Sequence, residues 1–170
     1  SSAHLQYAGA SAATEPGDYQ VEVTRQATQG SYTGGAFGYT GAIAVDAAND
    51  NLSVRIDVVT STQLTLTHGN YTGAELAAEL QTRINGDANL RAAGVAVNVD
   101  FDAGTQNFVI TSTRYGSASS VEITGADSGS GATLGLSTGA GSAGEDIAGT
   151  IGGLPATGSG RMLTGTGAAQ

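Results

Sequence analysis

One segment of the sequence carries a clear helix pattern, and it lies between segments that alternate as strands do. Thr72 and Glu75 are spaced as a capping box, in which each residue caps a backbone N–H group of the other. The large apolar side chains that follow recur every four residues: Leu76, Leu80 and Ile84. Asn85-Gly86 then predicts a left-handed stop. So short a helix is not stable alone, so we expect it to pack on a sheet.

Alternation of apolar and polar residues predicts strands on both sides of this helix. Residues 19–24 alternate strictly, and residues 52–58 place four apolar side chains on one face. Shorter alternating runs follow the same rule: residues 63–67, 95–99, 108–110 and 119–124. The pattern predicts an α+β fold that is mostly antiparallel β, with one short helix at about residues 73–84 packed on a sheet.

Glycine-rich segments interrupt these elements. Residues 29–41 read as a loop with embedded aromatic side chains, and residues 125–144 read as a long loop or weakly ordered connection. Residues 145–165 regain an apolar pattern between glycines, which predicts short strands and tight turns. A Gly-rich β region therefore completes the predicted fold.

Composition excludes several classes of function. The formal net charge is −9, and all six basic residues are Arg. Such a chain repels nucleic-acid phosphates and anionic membrane surfaces, so we expect neither partner. The chain has no Cys, which excludes disulfides and thiolate metal sites. The ends are rich in small residues, and we expect a fragment of a longer protein.

The histidines and carboxylates give no arrangement that favours catalysis. His4 and His68 are the two histidines, and the carboxylate nearest to His68 in sequence is Glu75. Asp100 and Asp102 have the spacing of strand neighbours on one face, but no calcium-loop pattern surrounds them. We interpret His68 as a polar turn residue and both carboxylates as solvated.

Two further patterns also favour a structural interpretation. Residues 46–51 are rich in Asp and Asn but lack the Glu that would complete a calcium loop, so a solvated turn is expected. The run Gly149–Gly153 is not followed by a Lys or a helix, which excludes a phosphate loop. We therefore expect no enzyme activity, no cofactor and no metal.

Three aromatic residues in the first Gly-rich segment are the candidate interaction residues: Tyr32, Phe37 and Tyr39. Aromatic side chains on such loops can anchor a protein or a sugar. The alternative is that they cover the edge of a small core, and the sequence leaves both interpretations open.

The order of the segments carries a family resemblance. Four stretches carry it: Tyr71–Leu76, Arg83–Asn85, Gly94-Val95, and Phe108–Ser112 with Gly116. They resemble the flagellin hook IN motif, found in the flagellar filament cap protein family (hook-associated protein 2, FliD) and in the outer domains of some large flagellins. The flanks at residues 17–27 and 145–160 are similar to the cap family.

The resemblance implies a fragment of the outer domains 2 and 3 of a cap subunit, outside the cell on the bacterial flagellum. Its implied partners are flagellin, hook-associated proteins and copies of itself in the full-length protein, with host surface or mucin as further contacts. Alternatives are the exposed domain of a large flagellin, or an extracellular adhesin module that binds glycan or host protein.

The resemblance and the strand pattern together suggest a division of the chain. Residues 1–40 would supply the opening strand and loop of an outer β-domain. Residues 41–125 would form a hook-IN-like β-α-β domain, and residues 126–170 a Gly-rich segment that returns to the β-domain.

Overall fold

The computed structural model of the chain describes residues 6–10, 14 and 17–165, so His4 lies outside the described residues. The helices are α1 (Gly73–Gly86), α2 (Ala88–Ala92) and α3 (Ser130–Leu134). The first seven strands are β1 (Val21–Arg25), β2 (Gln29–Thr33), β3 (Ile43–Val45), β4 (Asn51–Ile56), β5 (Val59–Thr60), β6 (Leu64–Thr65) and β7 (Gly69–Tyr71). The others are β8 (Val97–Asp102), β9 (Asn107–Tyr115), β10 (Val121–Ala126), β11 (Gly139–Ala140), β12 (Ala148–Ile151), β13 (Leu154–Ser159) and β14 (Met162–Gly165).

Most elements form one unit, the central body, which spans residues 29–144. One sheet has the order β11-β10-β4-β5, with β6 also paired to β4, and a second has the order β2-β9-β8. β3 and β7 pair separately. All these pairings are antiparallel. The predicted α+β fold, mostly antiparallel β, is confirmed.

Helix α1 packs on the sheet that contains β8 through its apolar stripe. Leu76, Leu80 and Ile84 are fully buried there. The capping box is present, with the Glu75 N–H donating to Thr72 Oγ1 (3.3 Å) and the Thr72 N–H donating to the Glu75 carboxylate (2.7 Å). The helix on a sheet is thus confirmed, and so is its predicted start.

The predicted left-handed stop at Asn85-Gly86 is wrong. Gly86 is the last residue of α1, and Asp87 after it is extended, with φ −61° and ψ 136°. Asp87 turns the chain directly into α2, because its carboxylate accepts from the N–H groups of Asn89 and Leu90. The left-handed residue comes later, at Gly94 (φ 67°), after α2.

The segment 29–41 is not wholly a loop, because β2 pairs with β9 of the central body. Gly30 permits β2 to pack closely on the connection before β10, since a Cβ there would lie 2.6 Å from the Ser120 Cα. β11 likewise pairs with β10. β2 and β11 thus lie in the central body, whereas the predicted boundaries at 40 and 126 assigned both to the outer β-domain.

The segment 125–144 is more ordered than the glycine content suggested. It contains α3 and β11, and Leu134 and Leu136 are each 1% exposed in the core of the central body. Gly135, with φ 68°, ends α3 in the left-handed conformation. The prediction of a long loop or weakly ordered connection is wrong because two leucines suffice to anchor the segment.

A second unit, the small sheet, has the strand order β1-β12-β13-β14 and is antiparallel throughout. β12 and β13 are joined by a two-residue turn, Gly152-Gly153, in which both residues have positive φ, as hairpin turns prefer. None of the residues in its four strands is buried. The predicted short strands in residues 145–165 are confirmed.

Candidate interaction site

Tyr32, the first candidate interaction residue, is turned inwards. It lies in β2 and is 7% exposed. Its hydroxyl donates to the Ser137 carbonyl (2.7 Å) and accepts from the Ser137 N–H (3.1 Å). Tyr32 therefore holds the segment after α3 against β2 and does not present its ring to a partner.

Phe37 and Tyr39 lie together, over the edge of the core. The Phe37 ring is stacked on the Phe108 ring, and the Tyr39 ring meets the Phe101 ring edge-on, with centroids 4.9 Å apart. The Tyr39 hydroxyl also accepts from the Gly73 N–H (3.3 Å) in the first turn of α1. Both rings are half-buried. The geometry supports the core-edge alternative, and binding of host surface or mucin stays a prediction.

His68 forms a pair that sequence spacing did not suggest. Its Nε2 lies 2.8 Å from Asp50 Oδ2, and the Asp50 side chain is 10% exposed. The Asn51 amide donates to both Asp50 (2.6 Å) and Asp127 (3.2 Å). Antiparallel pairing of β4 with β6 is what brings residues 50 and 68 together. In the described part of the chain, no three His, Cys, Asp or Glu side chains are grouped to hold a metal ion.

Asp57 is a buried carboxylate that no sequence pattern had singled out. It is 6% exposed and has φ 58° in the turn between β4 and β5. Its Oδ1 accepts from Ser112 Oγ (3.0 Å) and from the Ser120 N–H (3.1 Å). These donors come from β9 and from the connection before β10, so Asp57 ties the turn to the centre of the sheets.

The turn carboxylates act as local caps. Asp102 accepts from the N–H groups of Thr105 (3.2 Å) and Gly104 (2.7 Å), and these bonds hold the pKa of that carboxyl below its ordinary value. Asp100 is exposed, as expected. In the turn at residues 46–51, Asn49 and Asp50 are buried, which corrects the prediction of a solvated turn.

One face of the small sheet is apolar and partly exposed. Cross-strand partners point to the same face of a sheet, so the register places one set of small and apolar residues together. They are Val21, Val23, Gly149, Ile151, Leu154, Ala156, Gly158, Leu163 and Gly165. Val21, Val23 and Leu154 are 38%, 37% and 44% exposed.

The opposite face of the small sheet is mostly polar. The same register assigns to it Glu22, Thr150, Pro155, Thr157, Ser159, Met162 and Thr164. The sheet is therefore amphipathic, as a sheet with one covered face would be. The alternation in residues 19–24 correctly predicts a strand, but the prediction that this strand is half-buried is wrong, because all five residues of β1 are exposed.

Among the residues that the structure describes, no helix has the length and apolar character that a membrane span requires.

No family model matches the chain, and no curated protein matches it. Solved structures do match. FliD (HAP2) from Pseudomonas aeruginosa aligns with 90% of this chain and 69% of that chain, at 19% identity and a TM-score of 0.50. The flagellar cap protein FliD from Bdellovibrio bacteriovorus aligns with 91% of this chain and 89% of that chain, at 14% identity and a TM-score of 0.58. The FliD D2-D3 domains from Escherichia coli align at a TM-score of 0.47, 15% identity, and 94% and 87% coverage.

The first two alignments show that the chain shares the fold of FliD crystal structures over nearly its whole length. That is the fold that the resemblance implied. The hook IN motif itself stays a prediction.

Proposed function

We propose that this chain is the outer part of a flagellar filament cap subunit and that it acts outside the cell as a structural module. The observation that carries the proposal is the fold shared with two FliD crystal structures, which extends over about nine-tenths of the chain. The order of the sequence segments supports it independently, because the flanks at residues 17–27 and 145–160 resemble the cap family.

The described carboxylates support a structural rather than a catalytic role. Asp57, Asp87 and Asp102 each accept hydrogen bonds from two or more donors that fix a turn or a helix end. Catalytic acids and bases instead lie in a cleft where a substrate can reach them. Two surface recesses lie beside the C-terminal end of α1, and both are open to solvent rather than enclosed.

We further propose that the two units of the structure are the two outer domains of the subunit. The central body at residues 29–144 would be the inserted domain, and the small sheet would belong to the domain that the chain leaves after β1 and re-enters at β12. In the full-length protein the partners would be copies of itself, flagellin and hook-associated proteins.

Immunogold electron microscopy tests the proposal directly. Antibodies raised against the 170-residue chain should label the tips of filaments on the source bacterium, one cluster per filament. Labelling along the filament would show a large flagellin instead, and labelling of the cell body alone would favour an adhesin. Either of those outcomes would overturn the proposal.

Gene deletion gives an independent measurement. A strain that lacks the gene should release unpolymerised flagellin into the medium and should carry no full-length filaments, and the intact gene in trans should restore them. Normal filaments in the deletion strain would contradict a cap function.

A further inference from the structure

The small sheet is joined to the central body where the chain crosses between them twice, near residues 25–29 and 144–147. The Thr28 N–H donates to the Glu145 carbonyl, which ties the two crossings together (2.9 Å). The Gly116 N–H donates to the Thr28 carbonyl and the Gly144 N–H to the Ser119 carbonyl, both at 2.9 Å. These bonds attach the two crossings to the central body. None of them involves a strand of the small sheet.

Apolar packing does not fix the orientation of the small sheet. The buried apolar side chains among the described residues all belong to the central body, from Tyr32 to Leu136. Units within one chain move relative to each other unless a large apolar interface holds them. The orientation must therefore depend on the polar contacts at the junction.

Asp146 makes polar contacts with both units. Its Oδ1 accepts from the Gly160 N–H (2.6 Å) and from the Ser117 N–H (3.1 Å), and its Oδ2 accepts from Ser117 Oγ (2.6 Å). Ser117 lies in the connection between β9 and β10 of the central body. Gly160 lies in the turn between β13 and β14 of the small sheet. One carboxylate thus bridges the tips of two turns from different units.

The two turn tips also lie in direct backbone contact. A Cβ on Gly116, whose φ is 98°, would lie 2.6 Å from the Gly160 Cα and would strike the Asp146 carboxylate. Beside this contact, the Arg161 guanidinium lies 4.9 Å from the centre of the Tyr115 ring. Arg25 Nε donates to the Asp146 carbonyl (3.2 Å). The tips therefore meet in one defined arrangement, with the carboxylate at its centre.

We propose that Asp146 is a latch that fixes the orientation of the small sheet on the central body. With the carboxylate in place, the two units behave as one rigid arm. Without it, the small sheet pivots about the two crossings while both units stay folded. Carboxylates suit this position because charge-assisted hydrogen bonds are stronger than those between neutral groups.

Distance measurements between spin labels test the latch. The chain has no native Cys, so Ala78→Cys on α1 and Thr157→Cys on β13 give one label on each unit at exposed positions. Pulsed electron paramagnetic resonance then reports the distribution of distances between the two labels. Asp146→Ala removes the whole bridge, and Ser117→Ala removes the bond from the hydroxyl.

The matched control is Asp102→Ala. Asp102 also accepts two backbone N–H groups in an exposed turn, but both donors belong to the central body. We expect the distance distribution to become at least twofold broader in Asp146→Ala and to broaden less in Ser117→Ala. It should stay unchanged in Asp102→Ala. An unchanged width in Asp146→Ala would overturn the proposal.

Amide exchange of both units separates pivoting from local unfolding. The latch requires that β12, β13 and β14 keep their protection in Asp146→Ala while the distances broaden. If those strands lose protection in Asp146→Ala, Ser117→Ala decides, because it keeps Asp146 bonded to Gly160. Broadening with retained protection in Ser117→Ala supports the latch, and a wild-type width there rejects it.

Discussion

The ring of Phe37 lies stacked on the ring of Phe108, with centroids 5.8 Å apart and an angle of 5° between the planes. Phe108 is fully buried, so Phe37 closes the core at this edge. Offset stacking of this kind adds to the stabilisation from area burial alone.

The first prediction is that Phe37→Ala destabilises the chain rather than only weakening a partner contact. Replacing a fully buried Phe by Ala lowers the free energy of unfolding by about 3–5 kcal/mol. Phe37 is half-buried, so we expect Phe37→Ala to lower it by about 2 kcal/mol. Urea unfolding followed by circular dichroism measures it. Tyr7→Ala is the control, because Tyr7 is 83% exposed, and its stability should not change. Unchanged stability in Phe37→Ala would instead favour the partner-binding interpretation of the loop.

A pair of glycines in α1 gives the second prediction, because their surroundings differ. A Cβ on Gly73 would overlap the Phe101 ring, whereas a Cβ on Gly86 would meet nothing within 4 Å. We expect Gly73→Ala to destabilise the chain by about 2 kcal/mol through overpacking. Gly86→Ala should stabilise it by about 0.5 kcal/mol, because Ala favours helix.

Thermal unfolding of both glycine variants measures the difference. Opposite signs are expected, with Gly73→Ala melting below the parent and Gly86→Ala slightly above it. Equal shifts in the two variants would show that helix propensity, and not contact with Phe101, determines the effect.

Short-range patterns were enough to predict α1 and half of the strands of the central body: β4, β6, β8, β9 and β10. The capping box and the four-residue apolar repeat depend on neighbours within one turn of helix, and β4 follows from simple alternation. The fold class followed from these elements, because an amphipathic helix needs a sheet to cover it.

Other features depend on distant parts of the chain, and the sequence could not indicate them. β2 has no apolar alternation; it pairs with β9, and its Gly30 lies close to Ser120 in the connection before β10. The Asp50–His68 pair and the environment of Asp57 arise only after strands separated in sequence have paired. The interaction role of Tyr32, Phe37 and Tyr39 stays a prediction, and Tyr32 is 7% exposed.

Asp87 gives a prediction for acid pH. Burial acts to raise the pKa of Asp87, but hydrogen bonds from Thr62, Leu90 and Asn89 outweigh it and hold the pKa below its ordinary value of 3.8. A lowered folded-state pKa means that the carboxylate stabilises the fold above about pH 3.8, and that this contribution is lost as the pH falls through the folded-state pKa.

We therefore expect Asp87→Asn to be less stable than the parent at pH 7 by about 1 kcal/mol, because Asn caps α2 but loses the charged acceptor for Thr62. The two unfolding free energies should converge as the pH falls below the ordinary carboxyl pKa. Urea titrations from pH 7 down to acid pH measure both. Asp100→Asn, at an exposed position of β8, is the control. A constant difference between parent and Asp87→Asn at every pH would contradict the prediction.

The partly exposed apolar face of the small sheet predicts unequal local stability within the chain. Strands β8 to β10 bury Val97, Phe108, Ile110 and Val121, whereas the strands of the small sheet bury no side chain. Local opening is easiest where few apolar contacts are lost. We expect paired amides of β12 and β13 to exchange about 100-fold faster than those of β8 and β9, which corresponds to about 2.7 kcal/mol. Hydrogen exchange followed by mass spectrometry or NMR measures the ratio.

Dilution of the sample separates protection that comes from the fold from protection that comes from association. Protection that is equal in the two units and independent of concentration would contradict the prediction. Protection of the small sheet that rises with concentration would show that its apolar face becomes covered by association.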